Sequence, residues 1–339
     1  MIRTIKPNNE YWFHGYDNPL HSDEVKEKGY ETIDISNVPA EKFKGGYAIQ
    51  DDYVTRELVA YMKSTNWNDF YVADGVHPIQ LEYMETFKRW VQSSKLNNIK
   101  FNNLSFACIT NGTSEAFSMF MLRHNQRRFK FFKGDFMMHK VASNIADVDW
   151  EWIDDNGTLE YGDALIVSCP FSDTARFPHD FDRWMDLANK CEVPVLLDMA
   201  YFGTCVNIDI DTERYPAIEE IVFSLGKTFP IIGARAGIRF QKVLTDDPVT
   251  FANQNGIVNN FACKIGTHCM INWSPDYIPY KYYDAYNDLC LTHDFLITNS
   301  VLWALSDDTK YMSINRGNEL TRLCLSKFVK ENYDNSKAK

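Results

Sequence analysis

The middle of the chain alternates between short apolar runs and segments whose apolar residues recur with helical spacing. Seven runs are rich in aliphatic and aromatic residues, which is typical of strands covered on both faces of a sheet. Between them, residues such as Phe117, Phe120 and Met121 stand at i, i+3 and i+4, which predicts helices with one buried face. The predicted strands cover residues 105–110, 129–132, 148–152, 164–168, 193–198, 220–224 and 237–241.

This alternation predicts an α/β fold with a mostly parallel mixed sheet covered by helices. A long amphipathic helix is expected to begin at Pro78, since proline is favoured in a first helical turn. Beyond residue 241 the pattern becomes aromatic and poor in strand-like runs, with a helical stretch expected at 294–305 and a loose polar tail at 332–339. We therefore predict a large domain over residues 46–240 and a smaller α+β domain formed by 1–45 and 241–339.

Composition narrows the class of protein without defining its chemistry. The 339 residues include 46 acidic and 35 basic side chains, and the net charge of −11 disfavours nucleic acid as a partner. The sequence has no apolar run long enough for a membrane span or a signal peptide, so a cytoplasmic location away from membranes is expected. The eight scattered cysteines indicate reduced thiols. Cys263, His268 and Cys269 lack a fourth ligand, so no metal site is predicted.

The first candidate site segment follows the strand that ends near Thr110. Gly112, Thr113 and Ser114 lead into a predicted helix, whose free N–H groups can bind a phosphate with help from the two hydroxyls. The same residues also suit an ordinary helix N-cap. A phosphate seat and a plain cap both remain open at this point.

The second segment places Asp198 at the end of a predicted strand and Tyr201 three residues later. A carboxylate at a strand end can hold a ring nitrogen in its protonated form, and the phenol can bond a ring oxygen. Alternatively, Asp198 caps the next helix and Tyr201 packs with its hydroxyl in water.

The third segment is the most specific, because Ser224, Lys227 and Arg235 lie within twelve residues at the end of another strand. A lysine in a partly dry site can have a lowered pKa and condense, as a neutral amine, with an aldehyde. Arg235 can bind a phosphate through two hydrogen bonds, and Ser224 can add a third. A nucleotide-binding P-loop is excluded, because that motif needs a glycine where this chain has Ile221.

The order Ser-x-x-Lys and Gly-x-Arg-x-Gly over residues 224–237 resembles the signature of the class I/II aminotransferases. These are fold type I enzymes that use pyridoxal 5'-phosphate (PLP), and the histidinol-phosphate aminotransferases are among them. The resemblance implies that Lys227 forms a Schiff base with PLP, that Asp198 pairs with the pyridine nitrogen and that Tyr201 contacts the ring hydroxyl. It also implies that five residues hold the cofactor phosphate: Gly112, Thr113, Ser114, Ser224 and Arg235.

Weaker matches assign further residues by the same resemblance. Tyr71 matches a tyrosine that reaches the phosphate in the neighbouring subunit, which implies a homodimer. Asn18 matches a segment that borders the substrate. Phe136 takes the place of the aromatic residue that stacks on the cofactor ring, with a plain core phenylalanine as the alternative.

Two positions depart from the family pattern. Ser172 stands where the family has an asparagine that bonds the ring hydroxyl, so this contact passes to Ser172 or is lost. No arginine lies squarely in register for the substrate carboxylate. Arg316 is the candidate and Arg322 the reserve, and either could instead be a surface charge.

These residues predict an aminotransferase that moves an amino group from an amino acid or related amine to a 2-oxo acid or ketone. Its catalytic residues would be Lys227, Asp198 and Tyr201. A PLP-dependent lyase or decarboxylase is one alternative, because the same residues serve those reactions. A non-catalytic binding protein of the same fold is the alternative from another class, suggested by Ser172 and by the missing arginine.

Overall fold

The structure is a computed structural model that describes residues 30–70, 75–153, 156–175, 177–178 and 180–338. Its strands are β1 (Asn98–Lys100), β2 (Phe106–Asn111), β3 (Arg128–Phe132), β4 (Trp150–Ile153), β5 (Asp163–Ser168), β6 (Val195–Met199), β7 (Asp209–Asp211), β8 (Ile218–Ser224), β9 (Ala236–Gln241), β10 (Leu296–Ile297), β11 (Trp303–Ser306) and β12 (Thr321–Cys324). Its α-helices are α1 (Asp52–Ser64), α2 (Pro78–Gln92), α3 (Ser114–Arg123), α4 (Met137–Ala146), α5 (Phe181–Lys190), α6 (Pro248–Gln254), α7 (Asn260–Asn272), α8 (Tyr277–Thr292) and α9 (Ser326–Lys337).

A seven-stranded sheet in the order β2-β9-β8-β6-β5-β3-β4 forms the centre of the molecule. β9 is antiparallel to both of its neighbours, and the other pairs in this sheet are parallel. All seven predicted strands belong to this sheet, so the predicted α/β fold is confirmed. Every residue of β5 and β6 is buried, which explains why both strands appear in the sequence as apolar runs.

The two faces of this sheet bury two separate hydrophobic clusters. Along β5, Leu165 and Val167 join the larger cluster, whereas Ala164 and Ile166 join the smaller one. Successive side chains of a strand point to opposite faces, so one apolar run supplies both clusters. The sheet is therefore covered on both sides, and its functional groups are confined to the strand ends.

α2 begins at the predicted proline. His77 caps the helix, because its Nδ1 accepts a hydrogen bond from the Ile79 N–H at 3.1 Å. Pro78 takes the first helical position, where its missing N–H removes no bond within the helix. Trp90 then fixes the far end of the helix by donating from its Nε1 to the Trp273 carbonyl at 2.8 Å.

The helix predicted at 294–305 is wrong. Asp294 takes a left-handed φ of 58° after the end of α8, and the chain continues as the antiparallel strands β10 and β11. The Tyr286 hydroxyl accepts from the Thr298 N–H at 2.8 Å and donates to the Trp303 carbonyl at 2.7 Å. A short apolar run fits a helix or a strand equally well, and these long-range bonds select the strand.

The loose tail predicted at 332–339 is also wrong for residues 332–337, which belong to α9. Asn332 is fully buried and accepts from the Ile33 N–H at 3.1 Å. Its side-chain amide donates to the Ala285 carbonyl at 3.0 Å. A buried amide that satisfies two distant backbone groups pins this polar segment to α8.

The strands β10, β11 and β12 form a separate antiparallel sheet, and α8 packs against α9 beside it. The boundary between a large domain over 46–240 and a smaller one stays a prediction. Among the described residues, no helix has the length and apolar character needed to cross a membrane.

Candidate active site

The segments singled out in the sequence meet at one edge of the central sheet. Asp198 lies in β6, in register with Ser168 of β5 and Val222 of β8. Lys227 follows the end of β8, and Ser114 begins α3 directly after β2. The carboxyl ends of parallel strands share one edge of a sheet, where such folds place their ligands. The lysine, the aspartate and the start of α3 therefore border the same site.

Lys227 is half-buried, and its Nζ donates to the Gly46 carbonyl at 2.5 Å. The same nitrogen lies 5.4 Å from the centre of the Tyr201 ring. Burial lowers the pKa of this amine, and the positive charge of Arg322 lowers it further. Both effects shift Lys227 toward the neutral amine, which is the form that attacks an aldehyde.

Asp198 is buried and is held by several hydrogen bonds. Its Oδ1 accepts from the Ala200 N–H at 3.0 Å, and its Oδ2 accepts from the Ser168 hydroxyl at 3.5 Å. Burial, together with the negative charge of Asp135, raises the pKa of the Asp198 carboxyl to about 7. No lysine or arginine among the described residues forms an ion pair with it. Within the described part of the chain, Asp198 is therefore a buried acid with no basic side chain paired to it, and its role toward a ring nitrogen stays a prediction.

Tyr201 lies in an aromatic and cationic pocket. Its ring packs 4.0 Å from the Trp303 ring, and the Arg322 guanidinium lies 4.6 Å from the Trp303 ring centre. Burial raises the pKa of Tyr201 well above its usual range, and the nearby Ser172 side chain offsets only a small part of this. The phenol therefore stays protonated and can donate to a ligand oxygen.

Arg322 is the cation that tertiary structure brings to the site. It lies in β12, is buried, and donates to the backbone carbonyls of Ser172 and Gly45. Its Nε has no hydrogen-bond partner among the described residues, and neither has the Nε1 of the buried Trp303. Both are buried polar groups without a partner inside the described part of the protein. From the sequence, Arg322 was only the second candidate, and Trp303, Gly45 and Gly46 were not predicted at all. The pair of adjacent glycines is the one local signal that could have pointed to this part of the site.

Arg316, the first candidate for binding a substrate carboxylate, lies in a different setting. Its guanidinium pairs with the buried Asp173, while 42% of its own side chain is exposed. The structure brings Arg322, and not Arg316, into contact with the Tyr201 pocket. The role predicted for Arg316 stays a prediction.

The residues expected to bind a phosphate lie where β2 meets α3. Arg235 has a left-handed φ of 58° and donates to the Asn111 carbonyl at 2.9 Å. A Cβ atom on Gly112 would lie 2.5 Å from the Arg235 guanidinium, and one on Gly237 would lie 2.7 Å from the Cα of Gly112. The glycines of the motif therefore let the arginine lie against the start of α3.

Three hydroxyl side chains lie around the start of α3, and none of them caps the helix. Thr113 is the N-cap residue of α3, but its side chain forms no cap; its hydroxyl lies near Asp198 and lowers the pKa of that carboxyl. Ser114 is half-buried at the first position of the helix. The Ser224 hydroxyl accepts from the Gly226 N–H at 3.3 Å and donates to the Ala236 carbonyl at 3.4 Å. The free amides at the start of α3 therefore remain open to an anion.

Phe136 is half-buried and precedes α4. It makes edge contacts with His139 at 5.7 Å and with Phe117 at 6.4 Å, and it packs on the smaller hydrophobic cluster. These contacts are those of the core alternative, and stacking on a cofactor ring stays a prediction. Tyr71 and Asn18 lie outside the described residues.

Comparisons with known proteins bear on the fold. No protein-family model and no curated protein sequence matches the chain. The structure is similar to YbdL from Escherichia coli, for which a methionine aminotransferase function has been identified, at 13% identity and a TM-score of 0.62, covering 88% of this chain and 93% of that one.

It is also similar to the histidinol-phosphate aminotransferase from Clostridium acetobutylicum, at 11% identity and a TM-score of 0.56, covering 87% of this chain and 98% of that one. A third similar structure is the PLP-bound C-S lyase from Staphylococcus hominis, at 13% identity and a TM-score of 0.59, covering 91% and 97%. Identities this low show a shared fold. The chain has the fold type I architecture of PLP-dependent transferases, and the resemblance drawn from its motifs is confirmed at that level.

Proposed function

We propose that this protein is a PLP-dependent aminotransferase in which Lys227 carries the cofactor. The observation that supports this best is the position of Lys227. Its half-buried amine has no carboxylate partner among the described residues and faces the same site as Asp198, a buried acid without a cation. A PLP-bound enzyme of similar fold supports the choice of cofactor.

The chain's own residues divide the work between them. When bound, PLP supplies an electron sink for the charge released at the substrate carbon. Asp198 would hold a proton at the ring nitrogen, and Tyr201 would donate to a ring oxygen. The start of α3, Ser224 and Arg235 would hold the phosphate. The Lys227 Nζ would accept and return the proton of the substrate carbon, which is general acid–base catalysis by a tethered amine.

We further propose that the substrates are a small amino donor and a 2-oxo acid or ketone acceptor, and that Arg322 binds their carboxylate. The support is its buried position next to Tyr201 and Trp303, with an unpaired Nε among the described residues. A guanidinium in such a setting binds a carboxylate through paired hydrogen bonds.

A PLP-dependent lyase is the second candidate, because a C-S lyase of similar fold matches this structure as well as the aminotransferases do. The electron sink belongs to the cofactor, so the same residues can serve either reaction.

The cofactor assignment is tested by the visible absorption of the purified protein mixed with PLP, before and after borohydride. Peptide mapping of the reduced adduct should locate it on Lys227. A folded protein without an adduct at this lysine would contradict the proposal. A change in absorption on adding amino acids, lost in Lys227→Ala, would exclude a non-catalytic binding protein.

Product analysis separates the two reactions. A transaminase leaves pyridoxamine phosphate on the enzyme and forms a 2-oxo acid from the donor amino acid. Release of a thiol or of carbon dioxide, with PLP unchanged, would instead identify a lyase or decarboxylase.

We also propose a cytoplasmic homodimer. The homodimer rests on the resemblance around Tyr71, and the location on the eight free thiols. Sedimentation of the PLP-loaded protein at a monomer mass would contradict the dimer, and recovery from a compartment other than the cytosol would contradict the location.

A further inference from the structure

Three buried acids lie beside the candidate active site, and the proposed function uses only one of them. Asp135, Asp173 and Asp198 are exposed by 2%, 4% and 4%. Asp173 forms an ion pair with Arg316. Neither Asp135 nor Asp198 forms an ion pair with a lysine or arginine among the described residues. Buried carboxylates without a cation are costly, so two of them side by side need an explanation.

Both carboxyl groups are held in place by the same residue, Ser168, at the end of β5. The Ser168 N–H donates to Asp135 Oδ2 at 3.0 Å, and the Ser168 hydroxyl donates to Asp198 Oδ2 at 3.5 Å. Asp135 Oδ1 also accepts from the Phe136 N–H at 2.5 Å. These bonds fix two like charges close together. In that geometry one carboxyl is expected to keep its proton when the other ionises.

We propose that Asp135 is a positioning residue that forms, with Asp198 and through Ser168, a carboxyl pair sharing a single proton. Asp135 thereby keeps Asp198 protonated until a ring nitrogen is in place. The proton would then move from the Asp198 carboxyl oxygen to that nitrogen, which leaves both carboxyl groups ionised. The carboxyl pair is independent of the cofactor, whereas its role toward a ring nitrogen rests on the proposed function.

The other groups that face the pair do not take its proton. The Cys169 thiol lies near both acids, and burial raises its pKa well above the usual range. The His139 Nδ1 lies 3.8 Å from Asp135, but burial lowers the pKa of this imidazole to about 3. The remaining neighbours are Asp173 with its partner Arg316, the hydroxyls of Thr113 and Tyr201, and Lys227 across the site.

The pKa values place this proton in the neutral range. Burial raises the pKa of Asp135 to about 6, and burial with the charge of Asp135 raises that of Asp198 to about 7. In the unfolded chain both groups have lower pKa values, so the unfolded chain binds fewer protons. Stability contributed by the pair is therefore lost as the pH rises through these values.

The pair is tested on the full chain without cofactor, by measuring Tm from pH 5 to pH 8. The variants are Asp135→Asn, Asp198→Asn and the double variant. Each single change is expected to remove more than half of the fall in Tm seen in the unsubstituted protein, because the remaining acid titrates alone. The two effects then fail to add.

A matched cycle with Asp163→Asn gives the control, because Asp163 is also buried but lies at the other end of β5, paired with Arg128. The change in Tm caused by Asp163→Asn should add to the change caused by Asp198→Asn. Additive effects of Asp135→Asn and Asp198→Asn would overturn the pair. Should Asp135→Asn not fold, infrared difference spectra of the unsubstituted protein and Asp198→Asn decide. The carbonyl stretch of a buried protonated carboxyl must appear near pH 6, and its absence would overturn the proposal.

The role toward the cofactor is tested with PLP and its analogue that has carbon in place of the ring nitrogen. Asp135→Asn should lower the preference for PLP over the analogue at least fivefold, with little change in affinity for the analogue. An unchanged preference would overturn this role. If neither compound binds the unsubstituted protein, the proposed function and the cofactor role both fail. The Tm measurements on the variants still test the carboxyl pair, because they are made without cofactor.

Discussion

The candidate active site has a wall of basic side chains and a wall of acidic side chains, and the protein orients the two through opposite kinds of hydrogen bond. On one wall, Lys227 and Arg322 donate to the backbone carbonyls of Gly46, Gly45 and Ser172. On the other wall, Asp135 and Asp198 accept from backbone amides and from the Ser168 hydroxyl. Neither wall uses an ion pair among the described residues to neutralise its charges.

This difference indicates the kind of ligand whose charges would match the site. Neutral dipoles orient the cations and the acids, but they leave each buried charge without its counter-ion. Burial accordingly lowers the pKa of Lys227 and raises that of Asp198. A flat ligand with a cationic ring nitrogen and anionic groups elsewhere would complete both walls. The walls should therefore respond differently when a charge is removed.

Removing the lysine should have the largest effect. Lys227→Ala is expected to abolish the borohydride-trapped PLP adduct and to lower turnover by roughly 10²–10⁴-fold, since a general acid–base group is lost. Mass spectrometry of the reduced peptide and steady-state rates measure this. Lys242→Ala, an exposed lysine on the neighbouring strand end, is the control and should retain both. An adduct that persists in Lys227→Ala would place the cofactor elsewhere.

Removing the charge of Asp198 on the acidic wall should lower turnover and raise the stability of the protein without cofactor. Asp198→Asn should lower turnover by about 10²–10³-fold, because a preorganised charge is removed from the reacting system. Without cofactor, the variant should become more stable relative to the unsubstituted protein as the pH rises. The reason is that the folded pKa of about 7 lies above the unfolded value, so ionisation costs stability.

Tm measured between pH 5 and pH 8 checks the stability part of this prediction. A variant that loses stability relative to the unsubstituted protein as the pH rises would contradict the account of Asp198 as an acid without a counter-ion.

The two arginines distinguish the cationic wall from the surface next to it. Arg322→Gln should weaken binding of a carboxylate substrate by about 2 kcal/mol or more, which is roughly a 30-fold rise in KM, because a buried charged partner is lost. Arg316→Gln, the matched change, should alter KM less than fivefold, since Arg316 is partly exposed and paired with Asp173. The reverse order of effects would restore Arg316 as the carboxylate-binding residue.

The smallest predicted effect concerns the backbone that orients the cations. A Cβ atom at Gly46 would lie 2.8 Å from the Tyr201 hydroxyl and 3.2 Å from the Trp303 ring. Gly46→Ala should therefore cost about 1–3 kcal/mol of stability through overpacking. Gly233→Ala is the control, because a Cβ there meets no atom within 4 Å. Equal denaturation midpoints for the two variants would show that the segment around Gly46 yields easily.

Much of the site could be predicted because its residues stand in short motifs at strand ends. Lys227, Asp198 and Thr113 each follow or end an apolar run of a parallel strand, which carries them to one edge. Arg235 directly precedes the antiparallel strand β9, which begins at that same edge. Asp135 also follows an apolar strand, β3, but it belongs to none of the motifs singled out in the sequence. Its position next to Asp198 depends on a hydrogen bond from Ser168, which is 33 residues later in the chain and adjacent only in the folded protein.

The C-terminal region shows the same limit for the fold. Arg322 faces the site because β12 pairs with β11, and neither strand has a clear pattern of its own. Asn332 appears as part of a polar tail until its bonds to Ile33 and Ala285 are seen. In both cases the partner lies far away in the sequence.

The sequence by itself determined the central sheet, the order of the site motifs and the lysine on which the proposed chemistry depends. Buried parallel strands need continuous apolar runs, and glycines at close backbone contacts allow no substitute, so these features are local. Only the tertiary structure decided which arginine reaches the site, which acid accompanies Asp198 and how the C-terminal segment folds. Those outcomes depend on burial and on hydrogen bonds between residues that are distant in the chain, which no local pattern records.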